Sequence, residues 1–168
     1  MEPHEAGLML TFRLENRGHL TQWEPKRSVE FFSVPFWQAQ FRTATREFRS
    51  GVSVCLVILS KDENEVLGVC NYTNIVRGTF EAVHLGYALA GKHQGKGIMF
   101  EALESSKDYM FDVLKLHRII ANYLPRNRRS GALLARLGFE IEGEAKKLLK
   151  INGVWEDHIM TSLINPSS

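Results

Sequence analysis

The run Gln94-Gly95-Lys96-Gly97-Ile98-Met99 joins a strand-like segment, His84-Leu85-Gly86-Tyr87-Ala88-Leu89, to a helix-like segment from Met99 to Val113. The first N–H groups of a helix have no internal partners, and the helix dipole favours negative charge there. A glycine turn that delivers a strand into a helix therefore cradles phosphate oxygens. Gly95 and Gly97 accept positive φ and let a ligand come close to the backbone, and Lys96 adds a cation. These residues predict a phosphate or pyrophosphate site, against the alternative of an ordinary glycine-rich turn.

Two common phosphate motifs fail on spacing. A Walker A loop needs G-x-x-x-x-G-K and then Ser or Thr; the segment from Gly91 to Gly97 is one residue short and ends in a residue with no hydroxyl. A dinucleotide fingerprint needs G-x-G-x-x-G, and Phe100 stands at its third glycine. The pattern that remains is Q/R-x-x-G-x-G/A, with Gln94 and Gly97 in place and Met99 where a small residue is usual.

A chain of 168 residues has the length of one domain, and residues 1–168 are expected to form a single one. With 44% hydrophobic and 24% charged residues, the composition is that of an ordinary soluble globular protein. A net charge of +2 gives no electrostatic argument for DNA or a membrane surface. No apolar run reaches the ~18–20 residues of a membrane span, and the N-terminus lacks the features of a signal peptide. Cys55 and Cys70 both fall in strand-like runs and are expected as buried free thiols, which suits a reducing cytoplasm. The histidines and cysteines show no H-x-x-x-H or C-x-x-C spacing, so no metal is expected.

The remaining chain reads as alternating helices and strands without repeats. Helices are expected over Glu5 to Asn16 and Val34 to Arg49, then strands over Val52 to Leu59, Glu65 to Ile75 and Glu81 to Leu89. Arg118 to Tyr123 reads as a strand and Ser130 to Leu137 as an amphipathic helix closed by Gly138. Asn152-Gly153 between Leu148-Ile151 and Val154-Ile159 is a hairpin signal. The order ααβββαβαββ is a mixed α/β arrangement of helices around one mostly antiparallel sheet.

The loop Gln94 to Met99, Asn127-x-x-Ser130, Leu134-x-x-Leu137-Gly138-Phe139 and Asn152-Gly153-x-Trp155-x-Asp157-His158 together resemble the GNAT N-acetyltransferases. With Trp23-Glu24-Pro25 and Val76-Arg77-Gly78, the chain resembles the RimJ-type ribosomal-protein-alanine N-acetyltransferases from about His19 to Ser162. The resemblance implies the GNAT acyltransferase fold, with acetyl-coenzyme A as cosubstrate and no metal. The family begins with a strand before its first helix, whereas this chain enters a helix after Met1-Glu2-Pro3. That first strand is therefore expected to be missing, leaving an exposed sheet edge or hydrophobic face.

The implied reaction carries an acetyl group from a thioester to an amine, and donors aimed at the carbonyl oxygen stabilise its developing charge. By the resemblance, the backbone near Leu89 supplies that donor and pairs with pantetheine amides. Gln94, Gly95, Lys96, Gly97 and Met99 would hold the pyrophosphate, and Asn127 would bond the pantetheine arm. Ser130 would protonate the departing thiolate; Asn127 and Ser130 are also good helix caps. Trp23, Glu24, His84 and Trp155 are placed at the acceptor site. Phe36 and Trp37 stand between that site and core packing, with the core preferred.

No general base is evident among Glu24, Glu81, His84, Glu142 and Asp157. An α-amine with pKa ~7.7–8.0 is partly neutral near pH 7.5, whereas a lysine at ~10.4 needs roughly 3–4 kcal/mol more to deprotonate. A site without a strong base therefore suits a protein N-terminus. The expected function is direct acetyl transfer from acetyl-coenzyme A to the N-terminal alanine of a ribosomal protein, in the cytoplasm. Alternatives are acetylation of a small-molecule amine, or a non-catalytic ribosome- or RNA-binding module using Arg126, Arg128 and Arg129. Neither thiol has a context that would make it a nucleophile.

Overall fold

The structure is a computed structural model that describes residues 1–168. Helices α1 (Ala6–Glu15), α2 (Arg17–Leu20) and α3 (Val34–Arg49) precede strands β1 (Val54–Leu59), β2 (Val66–Val76) and β3 (Ala82–Leu89). Helix α4 (Ile98–Asp108), strand β4 (Arg118–Tyr123), helix α5 (Arg128–Arg136) and strands β5 (Glu140–Ile151) and β6 (Val154–Ile164) follow. The strands form one sheet in the order β1-β2-β3-β4-β6-β5, in which β3 and β4 are the parallel pair. The mixed α/β order expected from the sequence is present, with α2 as a one-turn extension of the first helix.

Side chains alternate across the sheet, so each face has its own core. Val83 and Leu85 of β3 and Ile119 and Ala121 of β4 face α4 and α5, where they meet Leu103 and Leu134. On the opposite face, Val69, Ala88 and Ala90 pack under Met9, Phe12, Trp37 and Phe41 of α1 and α3. Ser33 caps α3 by accepting from the Phe36 N–H at 3.4 Å. Trp37 and Phe41, four residues apart, share one helix face, and the Trp37 Nε1–H donates to the Phe31 carbonyl at 2.9 Å. Core packing is thus the role of Trp37, and Phe36 packs against the same cluster.

Two local features of the backbone differ from the sequence expectation. The helix expected to reach Val113 leaves α geometry after Asp108 and closes with a π turn over Tyr109–Val113. The wider turn buries two consecutive large residues, Met110 and Phe111. The hairpin strands run longer than expected: β5 pairs with β6 back to Glu140↔Ser162, and β6 also pairs with β4, from Tyr123↔Ile159 to Arg118↔Ile164. Its turn is the expected one, with both Asn152 (φ 44) and Gly153 (φ 88) in the left-handed region.

Only one of the two thiols expected to be buried is so. Cys70 lies in the core, and burial pushes its thiol up to about 12. Cys55 is exposed, because β1 is the outermost strand and pairs with β2 alone. Leu56 of the same edge strand is 37% exposed. No helix is long and apolar enough to cross a membrane.

Candidate active site

β3 and β4 pair over only three steps, Ala82↔Arg118, Val83↔Ile119 and His84↔Ile120. Beyond His84 the strands part, although β3 continues to Leu89 and β4 to Tyr123. A cleft of about 960 Å³ opens beside this fork. Tyr87 and Leu89 line it from β3, Gly95 and Gly97 from the turn, and Asn127 and Ser130 from the start of α5. The end of α2 and the loop after it close the other side through residues such as His19, Trp23 and Glu24.

The turn before α4 has the geometry its glycines predict. Gly95 (φ 74) and Gly97 (φ 79) are left-handed, and no heavy atom lies within 4 Å of where a Cβ would stand. None of the six N–H groups from Gly95 to Phe100 donates to a protein acceptor; the first intrahelical bond runs from the Glu101 N–H to the Gly97 carbonyl at 3.0 Å. Six free donors at a helix N-terminus form an anion cradle. Gln94 is held from both sides. Its Nε2–H donates to His19 Nε2 at 2.9 Å, and its Oε1 accepts from Arg129.

The predicted residues separate into groups. Gln94, Gly95, Gly97, Leu89, Asn127, Ser130, Trp23 and Glu24 all line the cleft. Met99 reaches it too, but its side chain is buried with Cys70, whose thiol donates to the Met99 sulfur at 3.6 Å. Met99 therefore offers its N–H rather than its side chain. Lys96 is exposed and does not line the cleft. His84 is the last paired residue before the fork and sits on the opposite sheet face from Leu85 and Tyr87; its Nδ1 is buried without a protein partner. Trp155 is 57% exposed on the hairpin and lies outside the cleft, because β6 runs on past the end of its pairing with β4.

The alternatives for Asn127 and Ser130 are now distinct. Asn127 is the cap of α5, its Oδ1 accepting the Ser130 N–H at 3.2 Å. Ser130 instead directs its hydroxyl to Tyr87, with Oη and Oγ 2.6 Å apart. Burial pushes the Tyr87 phenol up to about 12, while the bond to Ser130 acts in the other direction. Sequence reading missed Tyr87, although the period of two that selects Leu89 also brings Tyr87 to the same face. His19 was missed as well; its contact with Gln94 spans 75 positions of chain and leaves no local signal.

The four carboxylates among the candidate bases are engaged by other groups. Glu24 is the one carboxylate lining the cleft. It pairs with Arg13 at 2.9 Å and with Arg27 at 3.1 Å. Glu81 accepts from Arg77 and from the Gly78 N–H, Glu142 pairs with Arg118, and Asp157 accepts from the Lys147 N–H at 2.8 Å. These bonds hold Glu81 and Asp157 below the usual carboxylate range. No group of three or more His, Cys, Asp or Glu could hold a metal.

The model of the acetyltransferase (GNAT) domain matches residues 7–140 of the chain. The chain belongs to the GNAT acetyltransferase family. It is 44% identical over 162 residues to the ribosomal protein uS5-alanine N-acetyltransferase of Escherichia coli (strain K12), covering 96% of this chain and 84% of that relative. The crystal structure of the ribosomal-protein-S5-alanine acetyltransferase from Vibrio fischeri has a TM-score of 0.95 at 43% identity, over 99% of this chain and 91% of that one. Mycobacterium smegmatis RimJ in complex with CoA-disulfide has a TM-score of 0.91 at 30% identity, over 99% and 80%. GNAT acetyltransferases use acetyl-coenzyme A, and the residues of this GNAT cleft suit that cosubstrate. The free N–H groups match a pyrophosphate, and the unpaired inner edge of β3 offers backbone groups to amides.

Proposed function

We propose that the protein acetylates the N-terminal α-amine of a ribosomal protein, an N-terminal alanine, using acetyl-coenzyme A in a ternary complex in the cytoplasm. One domain, residues 1–168, carries the activity. The acceptor class comes from the relatives, which are ribosomal-protein-alanine acetyltransferases by name. The observation that carries the α-amine is that the cleft's one carboxylate, Glu24, has both oxygens held by arginines. A site with no free carboxylate suits an amine that is already partly neutral, pKa ~7.7–8.0, better than a lysine at ~10.4.

In this reading the N–H groups of Gly95 to Phe100 hold the pyrophosphate, with Gln94 fixing the turn. Backbone groups of β3 near Leu89 align the thioester arm and donate to its carbonyl oxygen. Asn127, its Oδ1 occupied as a cap, offers its Nδ2–H groups to the pantetheine arm. Ser130 presents its hydroxyl to the sulfur as the thiolate departs. Trp23 forms the acceptor rim, with His84 on the far face of the fork. Arg126 braces this rim: it pairs with Glu156 at 3.0 Å, donates to the Gln22 carbonyl at 3.3 Å and covers the Trp23 ring. That engagement favours a structural use of the basic cluster over ribosomal RNA contact.

Thiol release from acetyl-coenzyme A with two peptides tests the proposal. One has a free N-terminal alanine and blocked lysines, and the other a blocked N-terminus and free lysines. Turnover on the first alone is expected. Turnover on the second alone would refute the α-amine reading, and turnover on neither would redirect the search to small-molecule amines.

A further inference from the structure

Ser130 depends on Tyr87. The two hydroxyls approach to 2.6 Å across the cleft, one from β3 and one from the first turn of α5. Neither makes another side-chain hydrogen bond in the protein. Each hydroxyl has one proton and two acceptor lone pairs, so one donates and the other keeps its proton free. A phenol, pKa ≈ 10, is a stronger acid than an aliphatic alcohol and is therefore the better donor. With Tyr87 as the donor to Ser130 Oγ, the Ser130 proton is left without a protein side-chain acceptor inside the cleft.

We propose that Tyr87 is a positioning residue that fixes Ser130 as a donor toward the sulfur of the departing coenzyme A. The inference rests on the role given above to Ser130. Burial keeps Tyr87 protonated through the whole working pH range, so the donation persists. A hydroxyl that accepts one hydrogen bond is polarised into a stronger donor for the next. Asn127 fixes the backbone of the same residue through the Ser130 N–H, so Ser130 is held at both its main chain and its oxygen.

The balance is that of a thioester aminolysis. The acceptor nitrogen bonds to the carbonyl carbon, and the carbon–sulfur bond breaks with its electron pair going to sulfur. The Ser130 O–H hydrogen-bonds to that sulfur and passes its proton to it. The oxygen then recovers a proton from the acceptor nitrogen through cleft water, with Tyr87 donating to it throughout. The net change is one proton moved from amine to thiol, with no oxidant or other reactant.

Single-turnover thiol release by the Y87F, S130A and Y87F/S130A enzymes tests this. General-acid catalysis contributes ~10²–10⁴-fold, so S130A is expected to slow release by ~100-fold; Y87F, which leaves the Ser130 hydroxyl in place, is expected to slow it by ~10-fold. The double variant is expected to be no slower than S130A, since Tyr87 acts through Ser130. Y87F is further expected to lower kcat while KM for acetyl-coenzyme A and for the peptide stays within ~2-fold, a split that a packing defect would not give. A wild-type rate for Y87F with a slow S130A, or losses that multiply in the double variant, would overturn the role of Tyr87 alone. A wild-type rate for S130A would overturn the reading of Ser130 on which it rests.

Discussion

Gly131 follows Ser130 in α5, and its replacement by alanine links packing to catalysis. A Cβ at Gly131 would stand 2.8 Å from Cε2, 2.9 Å from Cζ and 3.0 Å from Oη of Tyr123. Carbon contacts are normally ≈ 3.5–4.0 Å, so helix and ring must separate by about 0.7 Å or more. Tyr123 ends β4 and packs on the main core, while α5 has nine residues and one buried leucine, Leu134. The helix is the lighter body and should move, taking Ser130 with it. A shift of this size turns the 2.6 Å contact with Tyr87 into one near or beyond hydrogen-bond range. Alanine gains about 1 kcal/mol of helix propensity over glycine, and overpacking costs about 1–3 kcal/mol. The net loss of stability is therefore about 0–2 kcal/mol, or a fall in Tm of up to about 8 °C for a chain of this size. The rate should suffer more than the stability, by about 10–100-fold, because misplacement of ~1 Å is costly to catalysis. Thermal melts and single-turnover thiol release on Gly131→Ala measure both quantities. A variant stabilised by the full helix-propensity gain, with an unchanged rate, would refute the reasoning.

Four further outcomes are expected. Gly68→Ala should destabilise the sheet by about 1–3 kcal/mol or more, read from urea midpoints, because its Cβ would lie 2.5 Å from the Ala88 carbonyl oxygen of the neighbouring strand. Glu24→Gln should cost about 3–5 kcal/mol in the same assay, since it strands the buried Arg13 guanidinium, whose pKa burial already lowers. With its thiol raised to about 12, Cys70 should resist iodoacetamide at pH 8 until the protein unfolds, while the exposed Cys55 reacts first. The linkage sign follows from a raised acid: the stability due to a neutral Cys70 is complete below pH ~8.5 and drains away as pH rises from there toward 12, which denaturant midpoints across that range would show.

Features whose cause is local were legible in the sequence. Positive φ at Gly95 and Gly97, the Asn152-Gly153 turn and the Asn127 cap each follow from the chemistry of one or two residues and their immediate neighbours. Strand-like apolar runs likewise located β3 and β4 to within a residue at each end. The resemblance places Trp155 at the acceptor site and adjacency places Lys96 in the loop, yet neither lines the cleft. The helix from Met99 was legible, but its π turn was not, since that turn arises from the demand to bury both Met110 and Phe111.

The amino-acid sequence by itself determined the order of elements and the anion cradle before α4, because helix ends, turns and strand periodicity depend on neighbouring residues. Tertiary structure alone decided where β3 and β4 part, that Glu24 is neutralised by Arg13 and Arg27, and that Tyr87 meets Ser130 across 43 positions of chain. Those contacts pair side chains of many possible partners, and only the packing of two cores on one sheet selects among them.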